Sequence, residues 1–129
     1  MHDAFLIELA GGVPVVAVPE EIDMANAREL RSALLEAAAG SPGTLVADMS
    51  RTQYCDSSGI HALLAAHKRA QADGCELLLV VPDAAVLRVF TITGIDRLIP
   101  NFTSLDDALA HTSASGSDGR RGITDPAPA

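Results

Sequence analysis

Residues 76–81 read Glu-Leu-Leu-Leu-Val-Val, a stretch whose last five residues are continuously apolar and from which the fold class follows. Such a strand is typical of parallel sheets, because helices cover both faces of the sheet and every side chain is buried. The run follows a helical stretch, 58–73, which itself follows a second apolar run, 45–49. This strand–helix–strand order predicts parallel pairing through a right-handed crossover.

The flanking sequence continues the alternation of strands and helices. Strand-like runs at 4–9 and 13–18 are separated by Ala-Gly-Gly, which predicts a hairpin. Asp23 is predicted to cap a helix over 24–39 whose apolar stripe begins at Met24. We therefore predict an α/β fold, with a mixed, mostly parallel sheet of about four to five strands and helices packed against it. The remaining predicted elements are a helix from its cap Asp83 to Thr93 closed by Gly94, a short strand over 98–102, and a helix from Ser104 to His111.

Length and composition predict one small domain and exclude several classes of partner. The 129 residues are 48% hydrophobic but only 3% aromatic, so the core must be aliphatic. A formal net charge of -8 disfavours nucleic acid and anionic membranes, since both require a basic surface. The segment 112–129 has no apolar periodicity, which predicts a disordered tail after a domain over 1–111. Two cysteines, no long apolar run and no basic N-terminal region together predict a cytoplasmic protein.

The loop after the third predicted strand reads Tyr-Cys-Asp-Ser-Ser-Gly-Ile over residues 54–60 and is the candidate site. It lies at the carboxyl end of a parallel strand and begins a helix, which is where α/β sheets usually carry functional residues. Asp, Ser and Gly are also ordinary capping residues, so the spacing alone leaves a purely structural role open. A hydrolase elbow is disfavoured, because Cys55 stands where G-x-S-x-G requires its first glycine.

The other chemistry-bearing side chains form no recognisable site. The four histidines lack metal-site spacing, and His61 and His67 are predicted to lie on opposite faces of their helix. Cys55 and Cys75 bracket that helix, which is ~22 Å long, so we predict no disulfide between them. No cofactor and no metal site are predicted.

Three stretches resemble the STAS domain of the bacterial anti-sigma-factor antagonists, over roughly residues 5–110. Residues 56–60, Asp-Ser-Ser-Gly-Ile, resemble the phosphorylation motif D-S-S-G-L of that family. Residues 21–23, Glu-Ile-Asp, resemble its G-E-L-D turn, and residues 86–95 resemble its third helix ending in T-G-L. Two positions depart from the pattern of the family: Glu20 replaces a glycine, and His61 stands where a second glycine is common.

The resemblance implies a partner-switching protein of the stress response rather than an enzyme. The unphosphorylated form of such a protein binds an anti-sigma factor that is also a serine kinase, and so releases a sigma factor. The kinase uses its own ATP and Mg²⁺ to phosphorylate the first serine of the motif, here Ser57, which ends binding until a serine phosphatase resets the protein. The partner-binding residues that the resemblance implies are Asp23, Asp56, Ser58, Gly59 and Ile60.

Two other roles stay open. One is a non-switching STAS subunit of a transport or sensory complex, although such subunits often lack the phosphorylatable serine. The other is a STAS domain that senses a small ligand, which requires an internal apolar pocket. If Ser57 is phosphorylated, we expect the free amides and the dipole of the following helix to stabilise the phosphate.

Overall fold

Seven strands and five helices alternate along the part of the chain that a computed structural model describes, residues 5–40 and 43–112. The strands are β1 (Ile7–Ala10), β2 (Val13–Ala17), β3 (Glu21–Ile22), β4 (Thr44–Asp48), β5 (Tyr54–Cys55), β6 (Glu76–Val80) and β7 (Asn101–Phe102). The helices are α1 (Ala27–Ala39), α2 (Ser57–Ala72), α3 (Ala84–Thr93), α4 (Ile95–Leu98) and α5 (105–112).

The main sheet has five strands in the order β1-β2-β4-β6-β7, which confirms the predicted mixed, mostly parallel architecture. β1 runs antiparallel to β2, and the other three pairs are parallel. Alternate side chains of β6 enter two different cores. Leu77 and Leu79 join the cluster that holds the buried faces of α1 and α2, whereas Leu78 and Val80 pack with Ala108 of α5 on the other face. This two-sided burial is why the sequence of β6 is continuously apolar.

The start of α1 differs from the prediction. Asp23 does not cap this helix, which begins at Ala27 with Asn26 as its N-cap residue. The Asn26 side chain accepts a hydrogen bond from the Asp23 amide at 3.0 Å and donates one to the Glu21 carbonyl at 2.9 Å. These bonds hold residues 23–26 in a turn. Met24 therefore precedes the helix and is 81% exposed instead of lying in the apolar stripe.

Most other helix ends lie close to their predicted positions. Asp83 caps α3 through two amides of its first turn, and Gly94 ends that helix in the left-handed region at φ 85°. The Ser104 hydroxyl accepts a hydrogen bond from the Asp107 amide at 3.1 Å, at the start of α5. Sequence reasoning missed β3, β5 and α4, and it assigned Thr112, which belongs to α5, to the tail. The predicted disordered tail from 113 onward lies outside the described residues.

Candidate functional site

The candidate site lies where two short parallel strands end side by side. β3 pairs with β5 so that Ile22 lies beside Cys55, and the Asp56 amide donates to the Ile22 carbonyl at 3.1 Å. Asp23 and Asp56 each follow directly after a paired residue, so the strand pair brings both acids to one edge. Tyr54 and Cys55 form a strand where the sequence predicts a loop. The pairing of β3 with β5, which joins the two stretches that resemble the family's motifs, is therefore not predicted from the sequence.

The first turn of α2 presents the predicted switch serine to solvent. Asp56 is the N-cap residue, and its Oδ1 accepts hydrogen bonds from the Ser58 amide at 2.8 Å and the Gly59 amide at 3.2 Å. Ser57 is exposed, Ser58 is half-buried, and Gly59 and Ile60 are buried. Within the described residues the Ser57 hydroxyl has no hydrogen-bond partner. The motif thus caps the helix, as its composition allows, and also exposes a free hydroxyl.

This cap corrects one expectation about a phosphate on Ser57. The amides of Ser58 and Gly59 already donate to the Asp56 carboxylate, and the Ile60 amide donates to the Asp56 carbonyl at 3.0 Å. A phosphate would therefore gain the helix dipole but not these amides, and it would stand beside an acid. At a modified Ser57 the repulsion from Asp56 therefore opposes the favourable helix dipole.

Two large exposed side chains, Met24 and Tyr54, lie at or close to the paired residues of β3 and β5. Met24 lies at the tip of the turn between β3 and α1 and is 81% exposed, and Tyr54 of β5 is 53% exposed. The sequence predicts a buried Met24, because its spacing from the apolar residues that follow fits the apolar stripe of a helix. The signal that could have placed it outside is the pair Asp23 and Asn26, since both residue types favour side-chain-bonded turns over a helix interior.

Gly59 sets how closely α2 approaches the strand pair. A Cβ at this position would lie 2.5 Å from the Cys55 Sγ and 2.6 Å from the Ile22 Cγ2. Both of those side chains are buried. Only glycine permits this approach without displacing the start of the helix, two residues after Ser57.

The chemistry of Cys55 is suppressed by its surroundings. Burial, together with a smaller contribution from the neighbouring Asp56 charge, raises the pKa of Cys55 to about 12. The group is therefore a neutral thiol at physiological pH and a poor nucleophile. Cys55 and Cys75 are both free and buried.

We expect Cys55 to make the protein less stable at alkaline pH. The unfolded thiol ionises near pH 9.0 but the folded one only near 12, so the folded state keeps a proton that the unfolded state loses. Its contribution to stability is complete below about pH 9 and declines as the pH rises toward 12. Between pH 7.5 and 10.5, wild type should lose about 2 kcal/mol more unfolding free energy than Cys55→Ala, measured by urea denaturation. Equal losses in the two proteins would contradict a buried, protonated thiol.

Two histidines lie on α2, the helix that begins at Ser57. His61 is exposed and His67 is buried, which confirms their predicted opposite faces, and burial with the Lys68 charge lowers the pKa of His67. Within residues 5–40 and 43–112, no group of three or more ligating side chains could hold a metal ion. No helix in those ranges is long and apolar enough to cross a membrane.

Comparison with known proteins gives concordant results. The family model described as "STAS domain" matches residues 4–108. Anti-sigma-F factor antagonist RsfB of Mycobacterium tuberculosis is 31% identical over 98 residues, which cover 76% of this chain and 80% of its own. The crystal structure of an anti-sigma factor antagonist from Mycobacterium paratuberculosis is 34% identical, with a TM-score of 0.70 over 83% of this chain and 91% of its own. An anti-sigma-factor antagonist (STAS) domain protein from Planctomyces limnophilus is 21% identical and shares the fold, with a TM-score of 0.77 over 84% of this chain and 97% of its own.

Proposed function

This chain belongs to the STAS domain family, and we propose that it is an anti-sigma factor antagonist switched by phosphorylation of Ser57. The unphosphorylated protein binds an anti-sigma factor that is also a serine kinase, and so releases a sigma factor. That kinase uses its own ATP and Mg²⁺ to phosphorylate Ser57, and the complex then dissociates. A serine phosphatase removes the phosphate and restores the binding form. The protein is thus a cytoplasmic binding partner and kinase substrate rather than an enzyme.

The observation that carries this proposal is the exposed Ser57 hydroxyl at the first position of α2. A kinase must reach the hydroxyl that it modifies, and Ser57 is exposed without a hydrogen-bond partner among the described residues. A switch must also change a binding surface without unfolding the domain. A phosphate at this position adds charge beside Asp56 while leaving the buried first-turn residues Gly59 and Ile60 in place.

The residues that the family resemblance implies for partner binding divide into two groups. Asp23, Asp56 and Ser58 are partly exposed beside Ser57 and can contact a partner directly. Gly59 and Ile60 are buried, with Ile60 only 6% exposed, so we assign them the role of positioning the first turn of α2. A direct contact between Ile60 and a partner would require that turn to open.

The test uses the anti-sigma factor kinases of the source organism. Each is titrated against the unmodified protein by calorimetry and then incubated with it in the presence of ATP and Mg²⁺. We expect one kinase to bind and to add a single phosphate, which peptide mass spectrometry locates on Ser57. Ser57→Ala is the matched control, and it should bind without being phosphorylated. Lack of binding to every such kinase, or a phosphate on another residue, would contradict the proposal.

Met24 is expected to contribute directly to partner binding. Exposed apolar side chains that become fully buried at an interface often contribute more than 1 kcal/mol, so Met24→Ala should weaken binding about 10-fold. Leu9→Ala is the control, because Leu9 is 73% exposed but pairs with Pro14 at the opposite edge of the sheet. Calorimetry should find wild-type affinity for Leu9→Ala and unchanged melting temperatures for both variants. If Met24→Ala and Leu9→Ala bind the partner with equal affinity, Met24 does not lie in the interface.

A further inference from the structure

An open groove of about 350 Å³ runs between α1 and α2 beside the switch serine. Three alanines line it together with Ser58, and its charged or titratable side chains are Arg28 and Arg31 of α1 and His61 of α2. Among the residues that the structure describes, no acidic residue lines it. We call this feature the arginine groove.

Neither arginine of this groove forms an ion pair in the described part of the chain, although Arg28 also borders a neighbouring cavity with Glu29 and Glu36. Arg28 and Arg31 are one helical turn apart, both are exposed, and neither takes part in an ion pair within residues 5–40 and 43–112. Like charges at this spacing repel each other. The chain carries 17 acidic residues against 9 lysines and arginines, so two arginines one helical turn apart that form no ion pair are notable for its composition.

The chemistry of the groove indicates what it accepts. A guanidinium group binds carboxylates through two parallel hydrogen bonds, and two such groups side by side form an anion-binding rim. The small alanine side chains leave room beneath that rim for the aliphatic part of a glutamate or aspartate. Because Ser58 lines the groove, a ligand seated there lies one residue from Ser57.

We propose that an acidic segment of the anti-sigma factor seats in the arginine groove, an inference that rests on the proposed function. The partner then places carboxylates against Arg28 and Arg31, and basic side chains against Asp23 and Asp56. Opposite charges at neighbouring parts of one interface determine which way round two proteins dock. The kinase active site is thereby directed to Ser57 in a single orientation.

Charge-reversal variants test this proposal by titration calorimetry against the anti-sigma factor kinase that binds the wild-type chain. Arg28→Glu and Arg31→Glu should each lose affinity about 30-fold or more, because a like charge then faces the acidic segment. Lys68→Glu is the matched control, since Lys68 is exposed on α2, about three turns from Ser57, and undergoes the same change of charge. It should bind within about 3-fold of wild type. Circular dichroism and melting temperatures verify that all three variants are folded.

A charge swap completes the test. Acidic residues of the kinase are changed to arginine one at a time, and one of these changes should restore the affinity of Arg31→Glu at least 10-fold. If both arginine variants bind the kinase with wild-type affinity, the arginine groove is not a binding site for the partner, and the proposed function still stands. If no anti-sigma factor kinase binds the wild-type chain, the proposed function fails and this inference fails with it. Self-association that Arg31→Glu abolishes would identify a second copy of the chain as the occupant and would also overturn the proposal.

Discussion

Replacing Gly59 with alanine is expected to lower the unfolding free energy by about 2 kcal/mol and the melting temperature by about 10 °C. The new Cβ would lie 2.5 Å from the Cys55 Sγ and 2.6 Å from the Ile22 Cγ2, far inside van der Waals contact. Neither side chain can move out into solvent, because Ile22 is fully buried and Cys55 is 4% exposed. Helix propensity acts in the opposite direction, since alanine is favoured over glycine by up to about 1 kcal/mol. The sign of the change therefore distinguishes packing from propensity.

Two further proteins make this measurement specific. Gly43→Ala is the control, because a Cβ there meets nothing within 4 Å, and its melting temperature should stay close to that of wild type. The double variant Cys55→Ala/Gly59→Ala removes the closest clashing atom, so Gly59→Ala should cost less in that background. If Gly59→Ala raises the melting temperature, α2 does not pack against β3 and β5 as closely as the structure places it.

The main sheet was predictable because its sequence signals are long and agree with one another. β6 and β4 are apolar runs on either side of an amphipathic helix, and Asp83 and Gly94 mark the ends of α3 with residues whose capping role is local. β3 and β5 were not predictable in this way. Each has two residues, too few to show the period of a strand, and their pairing depends on where the rest of the sheet brings the chain.

The residues of the candidate site could be identified from the sequence, whereas their spatial arrangement could not. Asp-Ser-Ser-Gly at the start of a helix indicates a cap, and Asp56 fills that role. A glycine is required at position 59 because α2 packs closely against Ile22, and this contact between residues far apart in the sequence cannot be predicted from the local motif. The arginine groove likewise exists only once α1 packs against α2, because its rim combines Arg28 and Arg31 with His61. Met24 was misplaced because an apolar residue in an exposed turn cannot be distinguished by spacing from one at the start of a helix.

Phosphorylation of Ser57 is expected to leave the fold intact. Ser57 is exposed, and its hydroxyl makes no hydrogen bond within the described residues, so the modification breaks no native contact. The helix dipole favours an anion at this position by about 0.3–1 kcal/mol, and the adjacent Asp56 charge opposes it. The two effects are similar in size, so the melting temperature should move by only a few degrees and the helical circular dichroism signal should be unchanged. Loss of that signal would mean that the phosphate acts by unfolding α2.

The same phosphate is expected to weaken partner binding by two to three decades. It adds about -1.5 to -2 charges and considerable bulk to a surface that already carries Asp56 and Asp23. A partner that places basic groups against those acids could tolerate added negative charge, but the phosphate stands in the middle of the contact and must be desolvated. Penalties of that kind reach several kcal/mol, and about 3–4 kcal/mol corresponds to the expected loss of affinity.

Three variants separate the contributions of charge, bulk and the hydroxyl. Ser57→Ala should bind the kinase and remain bound in the presence of ATP, because it has no acceptor for the phosphate. Ser57→Asp should bind more weakly than wild type but more tightly than the phosphoprotein, because aspartate carries a single charge and less bulk. Ser58→Ala should still be phosphorylated, since its hydroxyl is not the acceptor and the Asp56 cap uses its backbone amide. Calorimetric titration of each protein against the kinase gives the order of affinities. Equal affinities for the phosphorylated and unmodified proteins would show that Ser57 lies outside the interface, because a group of this charge cannot be buried between two proteins without cost.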